Sequence, residues 1–568
     1  MNARGAARCA TGRAIDAPAR PEPVLEFPIE SQPPHYFRAD WVQPSQEDRR
    51  ADICVYGASA AGVVAAVKAA RLGHDVVLLQ PGRAIGGMTT GGLGETDFGN
   101  KHTIGGMAAV FYRTLGEADG EEAAWKFWPQ DASRVLEGWL AESGADVRLT
   151  QYLDGVEMDA GRIAAVRMLG GLRVEAKVFI DATYEGDLLA AAGVSHHIGR
   201  ESNAVYNETL NGVQPGDKHQ FLPTRVDPFV TPGDPSSGLL PAIESRDLRK
   251  HVGRGDHKVQ AYCFRMCMTD DPALRIDWEK PDGYDPMQYE LAARWCAAGA
   301  ESGTDRHPLI DPDTGVASTR PHKFDLLAKP TPAGHRKTDT NNHGAVSSDF
   351  IGANYAWPTA DYAIREAIFQ QHVRYQKGLY WFFANDERLD DTWHRAYRRW
   401  GLARDEFTDT GGWPHQLYVR ESRRMIAEHV ITEHDCLGTV RAEDPVGQGS
   451  YTMDSHNCSR FVAEVDGQAV AMNEGDIQVP PTDPYPISYR AIVPRRDECA
   501  NLLVPVCFSA SHIAYGSARM EPVFMVLGES AACAASLALK NGGAVQDVPY
   551  APLRSMLDDA GAQLGDGL

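Results

Sequence analysis

No stretch of this chain approaches the roughly 18 uninterrupted apolar residues that a membrane-crossing helix needs, so no segment reads as a span. Paired cysteines are missing too. The 10 cysteines include no C-x-x-C pair and no His/Cys array at zinc spacing, and the nearest two, Cys263 and Cys267, enclose Phe264-Arg265-Met266. That excludes a zinc scaffold, and isolated cysteines in a long chain are expected to be small buried hydrophobes in a reduced, cytoplasmic protein. Positive charge is also short: 56 Lys and Arg stand against 77 Asp and Glu, a net charge of -21. Such a field repels phosphate backbones and removes nucleic acid as a partner. Met1 to Arg20 carries arginine but no apolar segment, so it is not read as a secretory signal. With the Pro-rich run from Pro21 to Pro34 it reads as a flexible arm.

What is present is ordinary globular composition, 43% hydrophobic and 23% charged over 568 residues, enough for two or three connected domains. The most informative stretch is Asp52 to Gly62. An apolar run ends in Gly57-Ala58-Ser59-Ala60-Ala61-Gly62, a helix rich in Ala and Val covers Val63 to Leu72, and a second apolar run covers Asp75 to Leu79. Strand, tight turn, helix and strand in that order open a dinucleotide-binding fold. Gly57 allows the sharp turn, small residues from Ser59 to Ala61 let the backbone approach a pyrophosphate, and Gly62 lets the helix pack on the sheet. Ser59 replaces the usual middle glycine, and Gln80 stands where an acidic ribose contact is usual; an amide still donates to and accepts from a hydroxyl.

Farther on, Gly86-Gly87-Met88-Thr89-Thr90-Gly91-Gly92-Leu93-Gly94 implies backbone lying close to something flat or anionic. Helices are expected over Ala108 to Leu115 and Ala132 to Ser143. Short β runs follow at Val147 to Leu149, Gly155 to Met158, Ile163 to Met168, Arg173 to Glu175 and Val178 to Ile180. They form a β-meander whose last strand returns at Asp181-Ala182-Thr183. Three polar blocks stand out in the mixed region beyond: Lys337 to His343, Tyr418 to Arg424 leading into a helix, and Asp454 to Asn457. A hydrogen-bonded turn or a solvated helix face is the bland alternative for each. The last feature is the strand Asn501 to Val506, then Ser509 to His512, then Arg519 to Pro522 opening a small-residue helix to about Lys540, stopped by Gly542.

Taken together, these stretches resemble the FAD-dependent oxidoreductases with a glutathione-reductase-like flavin domain. The resemblance rests on Val55 to Val63, Ile85 to Met88, Phe179 to Leu188, Lys337 to His343, Tyr418 to Met425, Asp454 to Asn457 and Asn501 to Ala535. It implies an α/β fold in which a Rossmann-like FAD-binding domain, a parallel sheet plus β-meander, carries an inserted mixed α+β substrate domain. The implied divisions are an arm over 1–50, FAD-binding segments over 51–200 and 491–545, a substrate-covering region over 201–490 and a tail over 546–568. FAD would be held by Gly57, Ala58, Ser59, Ala60, Ala61, Gly62 and Gln80, by Gly86, Gly87, Met88 and Thr89, by Asp181, Ala182 and Thr183, and by Met520 and Glu521.

Flavin accepts the electrons; the protein must orient a substrate and supply a base. Histidine suits that task, and the order of preference is His512, beside the inferred ring, then His456, then His343. Arg519 and Arg420 are candidates for binding a carboxylate or stabilising charge on substrate or reduced flavin, while Glu185 and Asp187 are expected to cap a helix. The leading expectation is a dehydrogenase or oxidase acting on a C–H or alcohol group of a small polar metabolite, with an electron acceptor that the residues do not name. A nicotinamide-dependent dehydrogenase on the same opening unit, and an FAD-binding protein with a structural or non-redox flavin, are the other two readings.

Overall fold

The computed structural model describes residues 34–216, 218–222, 224–299, 309–310, 317–318, 323–327 and 329–565. The expected flexible arm, up to residue 33, lies outside them. The described residues belong to one compact unit.

Its organising element is a twisted sheet whose central strand is Asp48–Tyr56 (β1). The helix Ala60–Arg71 (α1) follows and leads into Val76–Leu79 (β2), parallel to β1 from Ile53 opposite Val76 to Tyr56 opposite Leu79. Two helices, Gly106–Asp119 (α2) and Pro129–Ser143 (α3), separate β2 from Asp146–Arg148 (β3), which pairs parallel with β2. The meander is Leu153–Asp159 (β4), Arg162–Met168 (β5) and Arg173–Asp181 (β6). The order is β3-β2-β1-β6-β5-β4. The break expected between Glu175 and Val178 is absent, because the β1 ladder runs unbroken from Asp48 opposite Arg173 to Tyr56 opposite Asp181. β5 pairs only with the first half of β6; Leu502–Leu503 pairs parallel with Phe179 and Ile180 on the second half.

Alternation along these strands builds two cores, one per face. Ile53, Val55, Val76, Leu78, Val178 and Ile180 join the larger cluster. Cys54, Tyr56, Val77, Leu79 and Phe179 join the one under the meander. The larger face is covered by α1 and by the helix Glu521–Asn541, which has Pro522 in its first turn and Gly542 at φ +63° after its end. Of the described helices this one is long and apolar enough to cross a membrane, and most of its surface is instead buried inside the fold. No disulfide joins the described cysteines, and all but Cys296 are buried.

The region between 201 and 490 contributes mostly antiparallel pairs. Lys323–Leu326, Lys337–Asn341, Met268–Thr269, Gly401–Ala403 and Arg275–Ile276 form a five-stranded sheet in that order. The first polar block is thus a strand, and its Lys337 lies 3.9 Å from the centre of the Trp128 ring with Asp405 and Glu406 as partners at 2.8 Å. The Tyr418 block does not lead into a helix. Arg423–Met425 is a strand paired with His196–Ile198, and Arg423 and Arg424 hold carboxylates on other elements. The 24-residue helix Tyr362–Asn385 is capped by Asp361, and its Glu366 accepts from the backbone N–H groups of Tyr36 and Phe37. The tail contains a helix, Tyr550–Asp559, that buries Leu553 and Leu557.

Candidate functional site

The carboxyl ends of β1, β2 and β6 open into a groove where the strand order switches direction. Gly57 and Ser59 line it from the β1 turn, Gln80 and Arg83 from β2, and Ala182 to Glu185 from β6. Gly57 has φ +96°, and a Cβ there would lie 2.7 Å from the Thr183 nitrogen. A Cβ on Gly62 would overlap the Gly57 carbonyl oxygen. Ser59 earns its place over glycine by two bonds: its Oγ accepts from Gly62 N–H at 3.4 Å and donates to the Ala182 carbonyl at 2.7 Å. Gln80 Oε1 accepts from Ala58 N–H at 2.7 Å, a bond a carboxylate would also make, which leaves the amide N–H groups for the groove.

Other expected contacts serve the scaffold. Ala60 and Ala61 begin α1, and Gly528 of the long apolar helix crosses against the Ala61 carbonyl, so small side chains here answer to helix packing. Asp181 is buried. Its carboxyl accepts from Thr183 N–H and Oγ1 and from Leu189 N–H, and burial pushes its pKa up to about 6. It shapes the turn that presents Ala182 and Thr183. Asp187 does not cap the helix Asp187–Ala191 as expected; it accepts from Arg365 and Arg423 at 2.6 to 2.8 Å.

The glycine run also differs from expectation. A Cβ on Gly86 would meet Thr90, on Gly87 the Tyr184 hydroxyl, on Gly91 Gln416, and on Gly92 the Arg265 carbonyl. The protein's own atoms crowd this backbone, and only Gly87 of the run lines the groove. Met88 and Thr89 are tied inward. Met88 N–H donates to Tyr184 Oη at 2.9 Å, and Tyr184 Oη and Thr89 Oγ1 each donate to Glu521 at 2.7 Å. Met520 is buried at the N-cap of the helix that Glu521 begins.

Burial raises Glu521 to about 7 from an ordinary 4.5, despite the hydrogen bonds that oppose the shift. A carboxyl raised on folding contributes stability that is complete below its unfolded pKa and is lost as pH rises through about 7, here up to about 3 kcal/mol. Unfolding midpoints are therefore expected to fall between about pH 5 and pH 8, and Glu521→Gln to flatten that fall. Glu185, raised to about 7 chiefly by burial, titrates in the same window and keeps the variant's curve from becoming level. An unaltered slope in Glu521→Gln would remove Glu521 from this account.

Next to Tyr184 of the groove wall, Tyr418 begins a second polar centre: Tyr184 is raised by burial first and then by Glu521, and Tyr418 adds to the rise. Arg519 donates to Tyr418 Oη at 3.1 Å, and the Arg420 guanidinium lies 4.6 Å from the ring centre. Arg519 also donates to Asp454 Oδ2 and Gln260 Oε1, both at 3.0 Å. His456 Nδ1 is 2.8 Å from Asp349 and its Nε2 is 3.4 Å from Asp454. Burial would raise Asp349, but Arg420 and His456 hold it well below the usual carboxylate range. His512 sits deeper, with Nδ1 2.7 Å from Glu421 and Nε2 3.1 Å from Ser455 Oγ.

Gln260 joins these blocks. Its Oε1 accepts from His456 N–H and from Arg519, and its Nε2 donates to Glu421 at 2.7 Å. Sequence reasoning missed it, although a lone polar residue in Val259 to Phe264 is a usable signal. His343 lies against His219 with ring centres 6.0 Å apart. The roof of the groove was missed as well: Tyr36 and Trp41 from before β1, and Asp409 to Gln416 from the distal region. Arg83 stacks over Trp41 at 5.2 Å.

A family model described as FAD dependent oxidoreductase matches residues 52–557. No curated protein sequence matches. Among solved structures, a geranylgeranyl bacteriochlorophyll reductase-like protein from Thermoplasma acidophilum is 19% identical at a TM-score of 0.20, over 26% of this chain and 43% of that one. Thioredoxin reductase from T. acidophilum is 22% identical at a TM-score of 0.17, over 28% and 40%. A myxobacterial chondrochloren halogenase, described as a variant of FAD-dependent halogenases, is 19% identical at 0.21, over 27% and 41%. The chain spans less than half the length of each. The groove suits an FAD: it lies at the strand ends, the N-terminus of α1 meets it at Ser59, and Gln80 and Arg83 stand on its wall.

Proposed function

The chain belongs to the family of FAD-dependent oxidoreductases, and we propose that it oxidises the C–H bond of an alcohol group in a small polar metabolite, in the cytoplasm. When bound, FAD supplies the hydride acceptor. The chain's own residues hold the substrate and move its proton. The observation that carries this reading is the placing of His456, whose side chain keeps 12% exposure between Asp349 and Asp454, whereas the His512 side chain keeps 1% between Glu421 and Ser455. A proton taken up by His456 meets carboxylates on both sides, so the charge is matched where it forms. Arg519 and Arg420 flank Tyr418 and orient a polar substrate; Gln260 ties Arg519 to the His456 backbone, and Asp349 lies between Arg420 and His456. His512 acts through Glu421, as a positioning residue for Gln260.

Two measurements test this. The purified protein should be yellow, and anaerobic addition of its substrate should bleach the flavin; a colourless protein that cannot be reconstituted with FAD would sink the proposal. A nicotinamide dehydrogenase would bind NADH without flavin absorbance, and a structural flavin would resist bleaching across a broad panel of alcohols. His456→Gln should keep its flavin and slow flavin reduction by about 10²- to 10⁴-fold, with a smaller loss in His512→Gln. The reverse ranking would move the proton-accepting role to His512.

A further inference from the structure

Three N–H donors of the Gln260 knot have no acceptor: Nε of Arg420, Nε of Arg519 and Nδ2 of Asn457. Their residues are 1%, 3% and 3% exposed. The rest of each side chain or its backbone is committed. Arg420 gives its two terminal nitrogens to the Ala261 carbonyl and the Cys263 sulfur and pairs with Asp349 at 2.9 Å, and Arg519 gives its own to Tyr418, Gln260 and Asp454. Asn457 follows His456, and its carbonyl accepts from Ala261 N–H at 3.1 Å, the same residue whose carbonyl takes Arg420. The donors therefore belong to one hydrogen-bonded knot around Gln260 and Ala261.

A buried donor left unpaired is costly, and more so on a charged group. What matches several such donors is a group with many lone pairs and no proton of its own. A carboxylate has that character, and guanidinium is its natural partner; a hydroxyl or an amide brings a donor with it. Arg420 and Arg519 already face Asp349 and Asp454, so the match rests on the three open N–H groups and not on unpaired charge.

We propose that the knot binds a carboxylate through Nε of Arg420, Nε of Arg519 and Nδ2 of Asn457, so that the substrate oxidised beside His456 is a hydroxy acid. This deepens the alcohol-oxidation reading and rests on it. The carbon bearing the hydroxyl loses its hydrogen with both bonding electrons to the bound FAD, the hydroxyl proton passes to His456, and the hydroxy acid becomes an oxo acid. The electrons and the proton are then all placed.

The test uses the FAD-loaded protein and a carboxylate that cannot be oxidised, oxalate, titrated by calorimetry and by the flavin absorption spectrum. Saturable binding is expected, weakened at least tenfold in Arg519→Lys, which keeps the charge and removes Nε, and in Asn457→Ala, with flavin content unchanged as the control for folding. Oxalate should also compete with bleaching by 2-hydroxy acids. If uncharged polyols bleach the flavin while oxalate neither binds nor competes, the carboxylate site is wrong and the alcohol-oxidation reading stands. If oxalate binds in an Arg519-dependent way but no hydroxy acid or polyol bleaches the flavin, the site stands and the alcohol-oxidation reading fails. Equal oxalate affinity in wild type and both variants overturns the proposal whatever the bleaching shows.

Discussion

Gly62→Ala is expected to yield a protein nearly devoid of flavin and markedly less stable than the wild type. The added Cβ would overlap the Gly57 carbonyl oxygen and stand 3.1 Å from the Ala182 Cβ. Gly57 cannot retreat, because its own backbone at φ +96° is pressed against the Ala182–Thr183 turn. The β1 turn must then lift from the β6 turn, which stretches the 2.7 Å bond from Ser59 Oγ to the Ala182 carbonyl and deforms the groove floor. Overpacking of this kind costs about 1–3 kcal/mol before any ligand is lost. Flavin absorbance per protein should fall at least tenfold, and the unfolding midpoint should drop. Gly138→Ala, in α3 with open space around its Cβ, is the control and should be neutral or slightly stabilising. Wild-type flavin content in Gly62→Ala would show that the turn tolerates a displacement these contacts forbid.

Arg424→Met should be the most destabilising substitution away from the groove. Arg424 is fully buried and donates to Glu201, Glu421, and the carbonyls of Gly199 and Ala510. Burial alone would raise Glu201, yet Arg424 and His197 hold it at about 2. Removing the guanidinium leaves two buried carboxylates without the cation they share, a situation that costs about 3–5 kcal/mol. The sign with pH follows. A depressed carboxyl contributes stability above its unfolded pKa and loses it as pH falls through its folded value, here from about 4.5 down to about 2. The variant lacks that contribution, so its deficit should be largest near neutral pH and shrink in acid, where the stranded carboxyls take up protons. Unfolding midpoints of both proteins across pH check this. A deficit that is absent at neutral pH, or that does not shrink in acid, would mean that the bonds Glu201 and Glu421 keep to His512, Asn211 and Gln260 suffice without Arg424.

The parts of the fold that local pattern encodes were legible. Residues of β1, β2 and β6 alternate between two cores, and the small residues of α1 and of the helix Glu521–Asn541 announce close packing. What a residue lacks was harder to interpret. The glycines from Gly86 to Gly92 omit their side chains for the sake of Thr90, Tyr184, Gln416 and Arg265, and nothing within the run names those neighbours. Charge was opaque for the same reason. Arg423 and Asp187 read as a helix approach and a helix cap, but pairs distant in sequence bind each other more strongly than either satisfies a local backbone group. The histidines differ only in what surrounds them. His456 and His512 look alike in sequence, and only their exposure separates them.

The roof over the groove has a consequence in time. Tyr36 and Trp41 reach it from before the first strand, and Asp409 to Gln416 reach it from far beyond the last strand of the meander. A groove with all its walls therefore exists only after residues far beyond the meander have folded back beside the sheet, and flavin retention should report the completed fold rather than the β1 turn alone.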